Sequence, residues 1–342
     1  MPHESILAHL APLLTNQIEN VATDALAHLL LQYLFLADAF HEYIASIIVD
    51  LPSNLTFTTQ ARWQDNAIPD LVGRDEQGRY LLIVESKFWA PLTSNQPATY
   101  IDRLPPDKPA LLLFIAPASR IPTLWNELLS RCIALLPEEE LKEEVKGEIR
   151  ILHLNTKHLL TLISWEDLLG VLFEMAVQVN DRYAIADIWQ LQSLCSRIDE
   201  EAFKPISDDE ITSPTKMRIA QYRVLLDELI IRLVDSDMVS IKGYQATPGP
   251  DYYKRYVSIH DFHNWCIEYN ERHRRQHPET SLWLTTTMTP QVSEILSRFS
   301  QVGYKQGNQL LIPLDILIGV EREAVLTHLM AQVIEVSKLL IS

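Results

Sequence analysis

The chain has 342 residues, 47% of them hydrophobic and 22% charged, which is enough for one large or two medium domains with proper cores. Its three cysteines, Cys132, Cys195 and Cys266, are far apart and form no C-x-x-C pair, which excludes a disulfide framework, a zinc ribbon and an iron–sulfur cluster and fits a reducing cytoplasm. The net charge of −16 lies mostly in residues 1–205, with 15 Lys and Arg against 28 Asp and Glu (14 against 17 over residues 206–342), so nucleic-acid contact needs a local basic patch or a bound metal.

In chain order, TNQIENVATDALAHLLLQYLF carries Ile18, Val21, Ala22, Ala25, Leu26, Leu29 and Tyr33 at three- and four-residue steps and predicts the first major helix. Its apolar continuation is broken by His28 and Gln32, and MPHESILAHL has no charged-then-apolar leader pattern, so no membrane targeting is expected. Short alternating runs follow at 55–63, 68–74 and 79–88, the last two joined by a DEQG turn and read as a hairpin. TSNQPATYIDRL predicts a helix, PALLLFIAP a buried strand, IPTLWNELLSRCIALL a helix, PEEELKEEVKGE a solvated helix and turn, and EIRILHLN a strand. ISWEDLLGVLFEMA and IADIWQLQSLCSRI close this part as helices.

Residues 204–215 turn polar and proline-containing, which predicts a linker between a domain at 1–203 and a smaller α+β domain at 216–342. The second part opens with the helix KMRIAQYRVLLDELIIRL. Strands around VSIKGYQ and YKRYVSIH flank a loop ATPGPDY, then come a helix DFHNWCIEYNERHRRQ, a strand SLWLTTTM, a helix PQVSEILSRF, a hairpin turning at Gly307-Asn308 and a last helix VEREAVLTHLMAQVIEVSKLL.

LLIVESKFW, residues 81–89, reads as a strand covered on both faces, yet carries Glu85 and Lys87. An unpaired carboxylate there costs several kcal/mol, and a pair with Lys87 offsets only part of that. A hairpin turning through Gln77-Gly78, with Glu76 opposite Arg79, puts Asp70 directly across from Glu85. Two carboxylates that close repel unless a cation joins them, so Asp70, Glu85 and Lys87 on one sheet face suit a hard cation, Mg²⁺ or Mn²⁺. A strand start at Asp70 with an ion pair to Lys87 is the structural alternative.

Pro69-Asp70 followed by Glu85-Ser86-Lys87 on the next strand resembles the signature of the PD-(D/E)XK nuclease superfamily. The resemblance spans roughly residues 15–155 and implies an α/β, restriction-endonuclease-like mixed sheet flanked by helices, in the order helix, three strands, helix, strand. It also implies metal-dependent hydrolysis of nucleic-acid phosphodiesters, DNA rather than RNA, in defence against foreign DNA or in repair. Asp70 and Glu85 are then metal ligands, Lys87 activates or positions water, and Glu19 assists at the metal, although Asn16-x-x-Glu19 also reads as a capping box. Gln96 and Tyr100 match a glutamine–tyrosine pair that some branches carry after the lysine, and both are equally ordinary residues for a half-exposed helix face.

In the second part, DYYKRY interleaves Lys254 and Arg255 with three tyrosines, and ERHRRQ holds Arg272, Arg274 and Arg275. They read as nucleic-acid contacts or, alternatively, as an amphipathic strand and a solvated helix end. This domain is expected to choose a target or to sense a ligand or protein, and a homodimer would supply two active sites for two-strand cleavage. The rival reading is a catalytically silent or ligand-gated regulatory module that keeps the nuclease fold.

Overall fold

The computed structural model describes residues 18–48, 51–52, 54–59, 69–294, 296–299 and 303–341, and divides the chain into two compact units between Ala202 and Phe203. The fold is mixed α/β, with a seven-stranded mixed sheet in the first unit and a separate six-stranded antiparallel sheet in the second.

The first unit begins with helices α1 (Ile18–Gln32) and α2 (Leu34–Ala45), then β1 (Thr56–Thr59), β2 (Leu71–Arg74), β3 (Tyr80–Ser86), a single helical turn α3 (Ala98–Ile101), β4 (Ala110–Ala116) and α4 (Ile121–Leu135). β5 (Lys142–Lys146), β6 (Ile149–His153), β7 (His158–Ser164), α5 (Trp165–Val179) and α6 (Arg182–Glu201) complete it. The sheet order is β1-β2-β3-β4-β7-β6-β5, with β3, β4 and β7 parallel and the remaining pairs antiparallel. One face packs on α1, α2, α5 and α6 through Leu82, Val84, Leu113 and Ile115. The other packs on α3 and α4 through Ile83, Leu112, Phe114 and Leu160. Every residue of β4 and β7 is buried, as parallel strands covered on both faces require.

The structure departs from the expectations at five places in this unit, the first being that the run expected as one helix divides at the extended Tyr33 into α1 and α2. The run HLLTLIS forms β7 in the middle of the sheet, because an unbroken apolar run has no period to separate strand from helix; the following helix starts where Ser164 Oγ accepts from the Asp167 amide at 2.9 Å. PEEELKEEVKGE is a short 3₁₀ turn and the edge strand β5, whose charges guard an open sheet edge, and not a helix. The helix expected from TSNQPATYIDRL is only the single turn of α3. The β2–β3 turn closes Asp75 against Arg79, one residue away from the expected register, and a bulge at Leu81 makes up the difference. Asp75 holds this turn, accepting from the Gln77 and Arg79 amides at 3.0 and 2.9 Å and from Arg79 Nε at 2.8 Å. As a result Leu81 joins Leu82 and Val84 on the α1 side instead of sharing the face of Ile83.

The second unit contains α7 (Asp208–Thr212), α8 (Lys216–Asp235), β8 (Ala246–Pro248), β9 (Tyr252–Ile259), β10 (Phe262–Asn270), α9 (Glu271–Gln276), β11 (Leu282–Thr287), α10 (Pro290–Glu294), β12 (Tyr304–Gln306), β13 (Gln309–Leu314) and α11 (Arg322–Ile341). Its sheet runs β12-β13-β11-β10-β9-β8, with α8 and α11 packed on one face. FHNWCIEYN, expected as helix, is the central strand β10, with Trp265, Ile267 and Tyr269 turned alternately into the core. ATP of the expected loop forms β8, whereas VSIKGYQ contributes only an isolated bridge from Ser240 to Ser258. Residues 204–215, expected as a linker, belong to this unit: Ile206 and Ile211 lie in its core, and Arg218 donates to the Lys204 and Pro205 carbonyls and to Glu210. α11 is long and apolar enough to cross a membrane, yet six of its residues, including Val325, Leu329 and Val333, are buried in this core.

Leu160→Ala, which removes a fully buried β7 side chain, is expected to cost the first unit about 2–5 kcal/mol in urea denaturation. A loss below about 1 kcal/mol would contradict the central place of β7.

Candidate functional site

Glu85 sits next to last in β3, and Lys87 follows just beyond, its amide donating to the Ile115 carbonyl at 2.8 Å and extending the parallel pairing with β4. The pairing of Leu71 with Val84, continued by one residue, sets Asp70 opposite Glu85. Asp70 Oδ2 accepts from the Ser86 amide at 2.7 Å, which ties the carboxylate to β3 just where β2 begins.

Glu85 is 4% exposed and its carboxylate is held from three directions. Oε1 accepts from Gln96 Nε2 at 2.7 Å and pairs with Lys87 Nζ at 3.0 Å, and Oε2 accepts from the Tyr100 hydroxyl at 2.9 Å. The Gln96 amide is oriented by its other end, since Oε1 accepts from the Thr93 amide at 3.1 Å, so its nitrogen faces Glu85 and Tyr100. Burial, then the Glu85 charge, pushes the Tyr100 phenol far up, so its hydroxyl keeps its proton and donates. Lys87 and Gln96 are also buried, whereas Asp70 is half-buried and keeps its side of the cluster open to water.

Ionised carboxylates offer about four lone-pair positions, and three of those on Glu85 are taken, which leaves Oε2 with room for one more bond. That oxygen and Asp70 form a hard donor pair, and Mg²⁺ is commonly held by one or two carboxylates with water filling the rest of its shell. Among the described residues no group of three or more His, Cys, Asp or Glu side chains converges. The residues fit a cation bound through two carboxylates and water.

Of the expected site residues, Asp70, Glu85, Lys87, Gln96 and Tyr100 come together around the end of β3. Glu19 falls in the first turn of α1, and its side chain lies outside the described residues. Arg131 on α4, which nothing in the sequence pattern marks, reaches the same corner: it donates to the Leu92, Thr93 and Gln96 carbonyls and pairs with Glu127 at 2.6 Å.

The cations expected to contact nucleic acid are mostly engaged within the second unit. Lys254 pairs with the fully buried Glu268 at 2.9 Å, and Arg255 pairs with Asp227. Arg274 bridges to Glu271 at 2.5 Å and Arg275 to the same carboxylate at 3.0 Å. Among the described residues only Arg272 of the five is exposed with no carboxylate partner. Tyr253 points inward and donates to Asp227 at 2.7 Å, as the amphipathic-strand alternative implies. Glu268 also accepts from Thr285 at 2.9 Å and Asn270 at 3.0 Å, so this buried charge is fully compensated inside the unit.

No family model, curated protein or solved structure matches the chain.

The Arg274 bond, reinforced by Arg275, holds the Glu271 carboxyl at about 2 against an ordinary value of 4.5. A depressed value adds stability that is complete above about pH 4.5 and is lost as pH falls toward 2. Glu271→Gln is expected to lower the unfolding midpoint at pH 7 and to flatten its fall between those two values. An unchanged pH profile would show that these ion pairs do not form in solution.

Proposed function

We propose that the first unit is a metal-dependent nuclease of the PD-(D/E)XK kind with a restriction-endonuclease-like core, hydrolysing phosphodiesters of DNA rather than RNA. The observation that carries this reading is Asp70 set opposite Glu85 with Lys87 beside it on one buried strand end. The order α1, α2, β1, β2, β3, α3, β4 holds the helix, three strands, helix, strand order that the resemblance implies, with one further helix, α2, ahead of the sheet, and supports the same reading.

In this site Asp70 and Glu85 hold Mg²⁺ or Mn²⁺, with Glu19 the further ligand the resemblance implies. The cation supplies Lewis-acid polarisation and a lowered pKa for water. Lys87 holds the nucleophilic water and offsets charge developing on the phosphate, from a position set by the β4 ladder. Gln96 and Tyr100 act on Glu85 itself, fixing both carboxylate oxygens so that the ligand needs no reorganisation. A cytoplasmic enzyme in defence or repair, working as a homodimer, with a ligand or target chosen by the second unit, completes the proposal.

A second reading, a silent or ligand-gated module, is favoured by the four second-unit cations spent on internal carboxylates and by the net charge of −16. Calorimetric titration of Mn²⁺, paired with cleavage of supercoiled plasmid and of single-stranded DNA, separates the two. Nuclease function predicts that Asp70→Ala and Glu85→Ala each weaken Mn²⁺ binding at least about tenfold. It also predicts that Lys87→Ala keeps the metal and loses about 10²-fold or more in cutting. Metal binding without cutting in the wild type selects the second reading, and no metal binding rules out the metal site.

A further inference from the structure

We infer that Arg131 is the positioning residue of the proposed metal site, acting on Glu85 through Gln96; the inference rests on the metal-site reading above. Gln96 lies outside any strand, in the connection between β3 and α3, where nothing in the sheet ladder holds it. Arg131 supplies the missing constraint from α4. Its guanidinium donates to three carbonyls of that connection, Gln96 at 2.7 Å, Leu92 at 3.1 Å and Thr93. Three acceptors in one planar fork fix both the height and the tilt of the loop, which a lysine with a single mobile ammonium cannot do. Glu127, one helical turn away on α4, pairs with the same guanidinium at 2.6 Å and aims it.

The connection then folds on its own glutamine. The Gln96 amide donates to the Thr93 carbonyl, and Gln96 Oε1 accepts from the Thr93 amide, both at 3.1 Å, so a loop held at Thr93 and Gln96 delivers the side-chain nitrogen to Glu85. Tyr100, one turn further along the same segment, arrives at the other oxygen. Arg131 touches neither carboxylate of the site. Its effect travels through the loop, and groups that orient a metal ligand in this way are worth 10- to 100-fold in metal affinity.

Mn²⁺ titration of wild type, Arg131→Ala, Gln96→Ala and the double variant tests the route, with Arg131→Lys as the conservative control. Arg131→Ala is expected to weaken Mn²⁺ binding about tenfold in the wild-type background and less than about twofold when Gln96 is already alanine. Arg131→Lys is expected to recover only part of the loss. In the metal-free protein, the Thr93 amide is expected to exchange at least about tenfold faster in Arg131→Ala while β4 amides keep their rates. An equal loss in both backgrounds, or no loss at all, overturns the inference while leaving the metal site standing. A wild type that binds no Mn²⁺ overturns both, and the exchange data then show whether Arg131 still clamps the loop.

Discussion

The constraint on which the first unit depends is the burial of one carboxylate. Glu85 sits at the end of a strand covered on both faces, where a bare charge costs several kcal/mol. Everything around it answers that cost: a lysine two residues on, an amide and a phenol from the following segment, and an arginine behind them that holds the segment still. Three charge-assisted bonds to one carboxylate are more than an ion pair with Lys87 requires. Such a constellation makes physical sense where a ligand oxygen has to keep one orientation.

The seven-stranded sheet serves this corner in two ways. The parallel β3–β4–β7 centre buries the strand that carries Glu85 and sets Lys87 through its bond to Ile115. The antiparallel β2–β3 hairpin brings Asp70 alongside, fastened to the Ser86 amide. The bulge at Leu81 lies between the turn and the site, so the shift introduced by the Asp75 turn is absorbed before it reaches the carboxylates.

Much of this corner was legible in the sequence, because a charge pair inside an apolar strand is a strong anomaly and strand geometry fixes what stands opposite. The register at Asp70 agrees with the expectation, although the turn does not, since two one-residue differences cancel and neither a bulge nor a side-chain-held turn leaves a pattern in hydrophobicity. β7 and β10 were hidden for another reason. Both are strands in a sheet interior, where runs such as HLLTLIS or WCIEY satisfy helix and strand alike and only the neighbouring ladders decide. Arg131 was invisible because its role rests on carbonyl oxygens 35 to 39 residues away, which any sequence possesses. The basic patches of the second unit misled because partners such as Glu268 and Asp227 come from other elements, and composition counts cations without their counter-charges.

The most direct test of this account is the position of Mn²⁺ in crystals soaked with the ion, read from anomalous scattering. A peak bonded to carboxylate oxygens of both Asp70 and Glu85 at about 2.0–2.3 Å, with Gln96 and Tyr100 still on Glu85, is the predicted result. Crystals that bind Mn²⁺ elsewhere, or nowhere while Glu85 keeps only its internal partners, would contradict it and leave the buried glutamate as a structural ion pair.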